Sequence, residues 1–147
     1  MRSPRDFFKP LALGAPAPLR DIPFRPSRMI HFFDPSNEKM AAKLPDIAAK
    51  VDIILGNLED AIKAENKEAA RHGLVKIARD NDFGDTQLWT RVNSLDSPWF
   101  LEDVTRIVTE VGAKVDVIML PKVQGAWDIH YADQLIASRI DGEGTDL

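Results

Sequence analysis

From Arg28 onward the hydrophobic positions of this chain alternate between two periods, one of strand length and one of helical spacing. Met29-Ile30-His31-Phe32-Phe33 is a short apolar, aromatic-rich run that predicts a strand. It closes on Asp34-Pro35-Ser36, a turn that can also cap a helix. Helical spacing then runs over 37–50 through Met40, Ala41, Leu44, Ile47 and Ala48, with Pro45 as a defect. Val51-Asp52-Ile53-Ile54-Leu55 predicts a second, buried strand. Residues 65–80 predict a second helix with Ala69, Leu74 and Ile77 toward the core and Gly73 weakening its middle. After a loop over 81–85, residues 87–92 predict a third strand. The third helix has Ser97 to cap it, Pro98 for its first position, and Gly112 to stop it. Its apolar face is Leu101, Val104, Ile107, Val108 and Val111. Residues 114–120 form a nearly continuous apolar fourth strand, and 126–137 can supply a fourth helix.

Strands alternating with helices imply a parallel sheet, because a parallel pair needs a crossover and a helix is the usual one. Doubly wound sheets and barrels share this pattern, and periodicity alone does not choose between them. Ahead of it, residues 1–27 hold six of the ten prolines, too closely spaced for a helix or an inner strand. They read as an extended arm wrapping the body or a neighbouring subunit, or else as a mobile leader. Behind it, residues 138–147 are polar and lack a strand, and read as a disordered tail. The organisation expected is therefore an arm over 1–27, an α/β body over 28–137 and a tail over 138–147.

Composition narrows the classes. The chain has 147 residues, enough for one domain with a core but short of the roughly 250 usual for a complete α/β barrel. No apolar run approaches the ~20 residues of a membrane span, and no signal-peptide pattern opens the sequence. With no cysteine, disulfides, thiolate catalysis and thiolate metal sites are excluded, and a cytoplasmic setting is expected. A net charge of −4 argues against general nucleic-acid binding, although a small polyanion needs only a few local cations.

Chemistry in parallel α/β folds gathers where strands end. The four predicted strands end in Asp34, in Asn57-Leu58-Glu59-Asp60, in Arg91-Val92-Asn93 and in Pro121-Lys122-Val123-Gln124. Carboxylates, a guanidinium, amides and an ammonium would then share one mouth, suited to anionic carbonyl chemistry. Each has a plainer reading. Glu59 and Asp60 suit a helix N-terminus, Arg91 can pair structurally with either, and Lys122 can be a solvated lysine. His31 reads as a packed histidine, His72 and His130 as surface residues, and Trp89, Trp99 and Trp127 as packing anchors. No G-x-G-x-x-G, P-loop or G-x-S-x-G motif occurs.

Four ordered blocks resemble a known family. They are Val51-Asp52-Ile53-Ile54-Leu55-Gly56-Asn57-Leu58-Glu59-Asp60-Ala61-Ile62, Asn81-Asp82-Phe83-Gly84-Asp85-Thr86, Leu88-Trp89-Thr90-Arg91-Val92-Asn93, and Asp116-Val117-Ile118-Met119-Leu120-Pro121-Lys122-Val123. Gly125-Ala126-Trp127-Asp128-Ile129-His130-Tyr131 continues the match. The chain resembles the HpcH/HpaI aldolase–citrate lyase β-subunit superfamily, and within it the malyl-CoA/β-methylmalyl-CoA lyases. The resemblance implies the N-terminal half of a TIM (β/α)₈ barrel, a homo-oligomer, and Mg²⁺ as cofactor, with Mn²⁺ as its substitute. It implies reversible carbon–carbon cleavage of a 3-hydroxyacyl-CoA such as malyl-CoA to acetyl-CoA and glyoxylate. Its partners would be acyl-CoA and glyoxylate-like small molecules, with neither nucleic acid nor membrane. Carried over by position, Arg91 meets the keto-acid or thioester oxygen, and Glu59 and Asp60 border the metal and its waters. Phe32 and Lys39 fall near CoA-contacting positions, and Lys122 joins the substrate-binding set.

The chain departs from the family at Gln124, where relatives have Glu, and at Ala126, where they have Pro. The family's main metal ligands, a Glu and an Asp, are expected on a fifth and sixth strand that this chain lacks. The expectation is thus a truncated chain whose isolated form does not turn over malyl-CoA. Two alternatives stand beside it: a non-catalytic half-barrel, and a small doubly wound binding domain in which Arg91 lies away from Glu59.

Overall fold

The computed structural model describes residues 25–140. Four strands, β1 (Ile30–Phe33), β2 (Ile53–Asn57), β3 (Gln87–Arg91) and β4 (Val117–Met119), pair in parallel in the order β1-β2-β3-β4. Between and after them lie α1 (Glu38–Ala41), α2 (Leu44–Ala48), α3 (Lys67–Asp80), α4 (Phe100–Val111) and α5 (Ala126–Ile140). Spatial order follows chain order without a reversal. A doubly wound sheet needs a switch point where the order turns back, and among the described residues this sheet has none. Right-handed crossovers that all step the same way put every helix on one face. The sheet is therefore wound as part of a (β/α)₈-type barrel.

Alternation along the strands sorts the two faces. Phe33, Ile54 and Leu88 face the helices and join one core with Leu74, Ile77, Val104 and Ile107. The opposite face is layered by register: Ile30, Ile53 and Gln87, then Phe32, Leu55, Trp89 and Val117, then Asn57, Arg91 and Met119. The last layer, at the strand C-termini, is the polar one. Among the described residues, no helix is long and apolar enough to cross a membrane.

Several predicted elements come out differently, each for a physical reason. The helix expected over 37–50 is two short helices. Asn37 caps α1 by accepting from the Lys39 and Met40 amides, and Pro45 lies in the first turn of α2, where its missing N–H is not needed. In α3, Lys67, Ala70 and Arg71 turn inward while Ala69 is exposed. Gly73 is required there: a Cβ would fall on the Pro35 carbonyl oxygen, far inside contact distance. Ser97 does not cap α4, whose N-cap Trp99 makes no side-chain bond, and Leu101 is exposed. Strand β4 is three residues long and only half-buried, because β3 is its sole neighbour among the described residues. Trp127 is 81% exposed and anchors no packing, while Trp89 and Trp99 are half-buried. Helix α5 continues to Ile140. The arm reading falls largely on 1–24 and the tail reading largely on 141–147, outside the described residues.

Candidate active site at the strand ends

Parallel pairing brings the ends of β2, β3 and β4 together, and the sequence-selected residues meet there. Arg91 is the last residue of β3 and pairs in register with Asn57, the last of β2. The Arg91 Nε donates to Asn57 Oδ1 at 2.9 Å, and its Nη2 lies 3.4 Å from Glu59 Oε2. Its guanidinium also sits over the Phe32 ring, 5.5 Å from the centroid. One edge and one face of the guanidinium are thus held by the protein. The cation–π contact and the bond to Asn57 both favour this single orientation.

Lys122 closes the cluster from the end of β4. Its Nζ lies 3.0 Å from Glu59 Oε1 and 3.0 Å from Asp60 Oδ1. The Glu59 contact is close but misaligned for a hydrogen bond, so Oε1 keeps capacity for another donor. Lys122 adopts φ of 53°, the left-handed region that a non-glycine residue rarely enters. Such strain persists where surrounding contacts enforce it, and here two carboxylates hold the side chain. Glu59 is buried and Asp60 exposed. The hydrogen bond from Lys122 holds the Asp60 carboxyl below its usual range. Contact with Glu59 first, and Asp60 second, raises the Lys122 ammonium above its ordinary value.

Beneath these groups runs a buried polar network that sequence reading missed. Lys67, 6% exposed, donates to the carbonyls of Leu58 and Glu59 at 2.7 and 2.9 Å and to Asn93 Oδ1 at 2.6 Å. The Trp99 ring lies 5.1 Å from the same ammonium. Asn93 donates through Nδ2 and its backbone to Asp103 Oδ2, and Arg71 binds Asp103 Oδ1 through Nε at 2.9 Å. Burial pulls the Lys67 ammonium pKa down, while the charges of Asp103 and Glu59 oppose the shift. The signal that could have found this network is charge on the inward phase of two helices: Lys67 and Arg71 are four residues apart, and Asp103 precedes Val104.

The remaining predicted residues are not all gathered. Phe32, 45% exposed, joins through Arg91, whereas Lys39 lies exposed on α1, outside the cluster. Asp34 turns back on its own loop, accepting from the Ser36 amide and hydroxyl. His72 and His130 are at the surface, and His31 is half-buried with its Nε2 unpartnered among the described residues. Among the described residues no three His, Asp or Glu side chains converge as a metal cage. Two clefts lie elsewhere: one of about 710 Å³ between α1–α2 and α3, another of about 590 Å³ between α4 and α5. Neither contains Arg91 or Glu59, and the arrangement of charge locates the site better than cleft size does.

The parallel α/β layer thus carries two carboxylates and two cations at its strand C-termini, the end where folds of this class gather their chemistry. Residues 28–146 match the sequence profile of HpcH/HpaI aldolase/citrate lyase, and the chain belongs to that family. Over 132 residues it is 56% identical to a malyl-CoA/beta-methylmalyl-CoA/citramalyl-CoA lyase of Chloroflexus aurantiacus, covering 90% of this chain and 38% of that protein. It is 33% identical to an L-malyl-CoA/beta-methylmalyl-CoA lyase of Cereibacter sphaeroides, covering 84% and 37%. A citrate lyase subunit beta of Leuconostoc mesenteroides subsp. cremoris is 34% identical over 74% of this chain and 35% of its own length. The chain thus spans under two fifths of these curated relatives. The crystal structure of RipC from Yersinia pestis aligns with TM-score 0.52 and 23% identity over 73% of this chain and 40% of that one, a likeness of fold.

Proposed function

We propose that this site forms one wall of a carbon–carbon lyase centre that cleaves a 3-hydroxyacyl-CoA such as malyl-CoA, reversibly, to acetyl-CoA and glyoxylate. The observation that carries the reading is the Arg91–Asn57–Glu59–Lys122 cluster on a chain of the HpcH/HpaI family. In cleavage a base takes the 3-hydroxyl proton, the C3 oxygen closes to the carbonyl of glyoxylate, and the C2–C3 bond breaks with its electron pair passing to the thioester enolate. Protonation of that enolate yields acetyl-CoA. Arg91 supplies fixed positive charge where an oxyanion develops, and costs little reorganisation because Asn57 and Phe32 already orient it. Lys122 adds a second cation on the opposite side of Glu59.

Mg²⁺ fits this donor set as a partial site. It commonly takes one or two carboxylates and fills its shell with water and substrate oxygens. Glu59 Oε1 retains acceptor capacity and Asp60 is exposed beside it, so both can hold the ion or its waters. Bound there, the ion would act as Lewis acid on the substrate oxygens.

Titrating the chain with glyoxylate tests the reading. The Arg91 Nε–H resonance is expected to shift saturably, and Arg91→Gln to abolish binding; no response in the native chain would sink the assignment. Glyoxylate release from malyl-CoA with Mg²⁺ measures turnover, and loss of Arg91 should lower any rate by about 10²–10³-fold. A binding role without turnover has one observation in its favour, since the Lys122 ammonium already lies 3.0 Å from both carboxylates and offsets the charge a metal ion would meet. In that case Lys122→Met raises Mg²⁺ affinity without producing activity.

A further inference from the structure

We propose that Lys67 is a positioning residue for this site: its buried ammonium sets the Glu59 carboxylate against Arg91 and Lys122. The inference rests on the proposed lyase reading only for the purpose that the Arg91–Glu59 pair serves.

Three observations lead to it. Lys67 opens α3, eight residues after Glu59, yet its Nζ reaches back under the turn to bind two consecutive carbonyls, those of Leu58 and Glu59. A cation on two successive carbonyls fixes the peptide planes on either side of the Glu59 Cα, and so the direction of its side chain. The third bond goes to Asn93, two residues beyond Arg91 on the neighbouring strand. One ammonium therefore ties the end of β2 to the end of β3, between which the Arg91–Glu59 contact forms.

Its burial argues for a specific task. An ammonium is costly to desolvate, and its three protons meet three oxygens at 2.6–2.9 Å, with the Trp99 ring also beside it. Asn93 is itself held by Asp103, which Arg71 binds in turn. The acceptors are thus fixed from behind, and the post cannot drift. An apolar side chain would pack α3 as well but would leave the Leu58 carbonyl and Asn93 Oδ1 without a donor, and the Glu59 carbonyl with the Ile62 amide alone.

The chain has no cysteine, which makes a clean experiment available. Lys67→Cys is alkylated in denaturant with 2-bromoethylamine, restoring an ammonium at lysine length, or with 1-bromopropane, restoring the length without charge. Both are refolded. The readouts are far-UV circular dichroism for the fold and the Arg91 Nε–H resonance for the site. The aminoethyl adduct is expected to recover the native Arg91 resonance. The propyl adduct is expected to recover the fold while that resonance moves or broadens beyond detection. A folded propyl adduct with the native Arg91 signal overturns the proposal, as does an aminoethyl adduct that folds without regaining it. If the propyl adduct does not refold, Lys67→Gln takes its place, since its amide can still donate to one carbonyl but not satisfy all three oxygens. A native Arg91 signal there is equally fatal. No substrate enters these measurements, so failure of the lyase reading leaves their outcome unchanged.

Discussion

Asp103 shows how much one side chain can hold at this site. It is 1% exposed, its two oxygens are shared between Arg71 and Asn93, and Arg71 is only 2% exposed. Removing one partner of a buried pair costs about 3–5 kcal/mol when the other charge is left without compensation, and Arg71 keeps only the exposed Glu102, 3.0 Å from its Nη1. Asp103→Ala is therefore expected to lower unfolding free energy by about 3 kcal/mol, the lower end of that range, in urea titration. Joint replacement Arg71→Met with Asp103→Leu should cost clearly less; equal losses would refute the uncompensated-charge account. At this scale the sequence was half legible. Arg91, Glu59, Asp60 and Lys122 declare themselves by standing where strands end. Lys67, Arg71 and Asp103 do not, because charge in a helix looks solvated until the helix's rotation against the sheet is known.

Two elements depend on contacts that periodicity does not display. Helix α3 crosses the β1 turn so closely that Gly73 lies against the Pro35 carbonyl. Gly73→Ala gains helix propensity of roughly 1 kcal/mol but forces the helix off that turn, so a net loss of about 1–3 kcal/mol is expected. A raised thermal midpoint would show that the turn yields instead. Strands β1 and β2 are tied at their starts by Asp52, which accepts from the side chain of Arg28 and from the Arg28 and Met29 amides. Those bonds, the Arg28 side chain first, hold the Asp52 carboxyl at about 2, below its ordinary 3.8. A carboxyl whose pKa is depressed in the folded state stabilises above its unfolded value, and that contribution is lost as pH falls through the folded value. The window is therefore from about pH 4 down to about pH 2. Asp52→Asn should flatten the acid limb of stability there; an unchanged limb would assign acid sensitivity to other carboxylates. Helix and strand identities along the chain were legible from period alone, whereas Pro45 as a boundary and Gly73 as a contact needed the neighbouring turn.

At the scale of the molecule, a parallel sheet wound in one direction has two ends, β1 and β4, each with one neighbour among the described residues. Strand β4 is half-buried throughout, and α5 exposes Trp127, Ile129 and Tyr131. Unpaired strand edges and grouped apolar side chains favour association. Light scattering is expected to show mass rising with concentration, and Trp127→Glu to reduce it; a monomer at all concentrations would contradict this.

The sequence by itself determined that strands and helices alternate, that the sheet is parallel, and that Glu59, Asp60, Arg91 and Lys122 stand at strand ends. These follow from local period and from the rule that parallel strands need crossovers. Only tertiary structure decided the winding, since chain order in space is set by packing between distant segments. It alone brought Arg91 onto Glu59, put Lys122 between two carboxylates, and turned Lys67 inward beneath them. Those contacts join residues between 8 and 63 positions apart, and no local period carries information over such a distance.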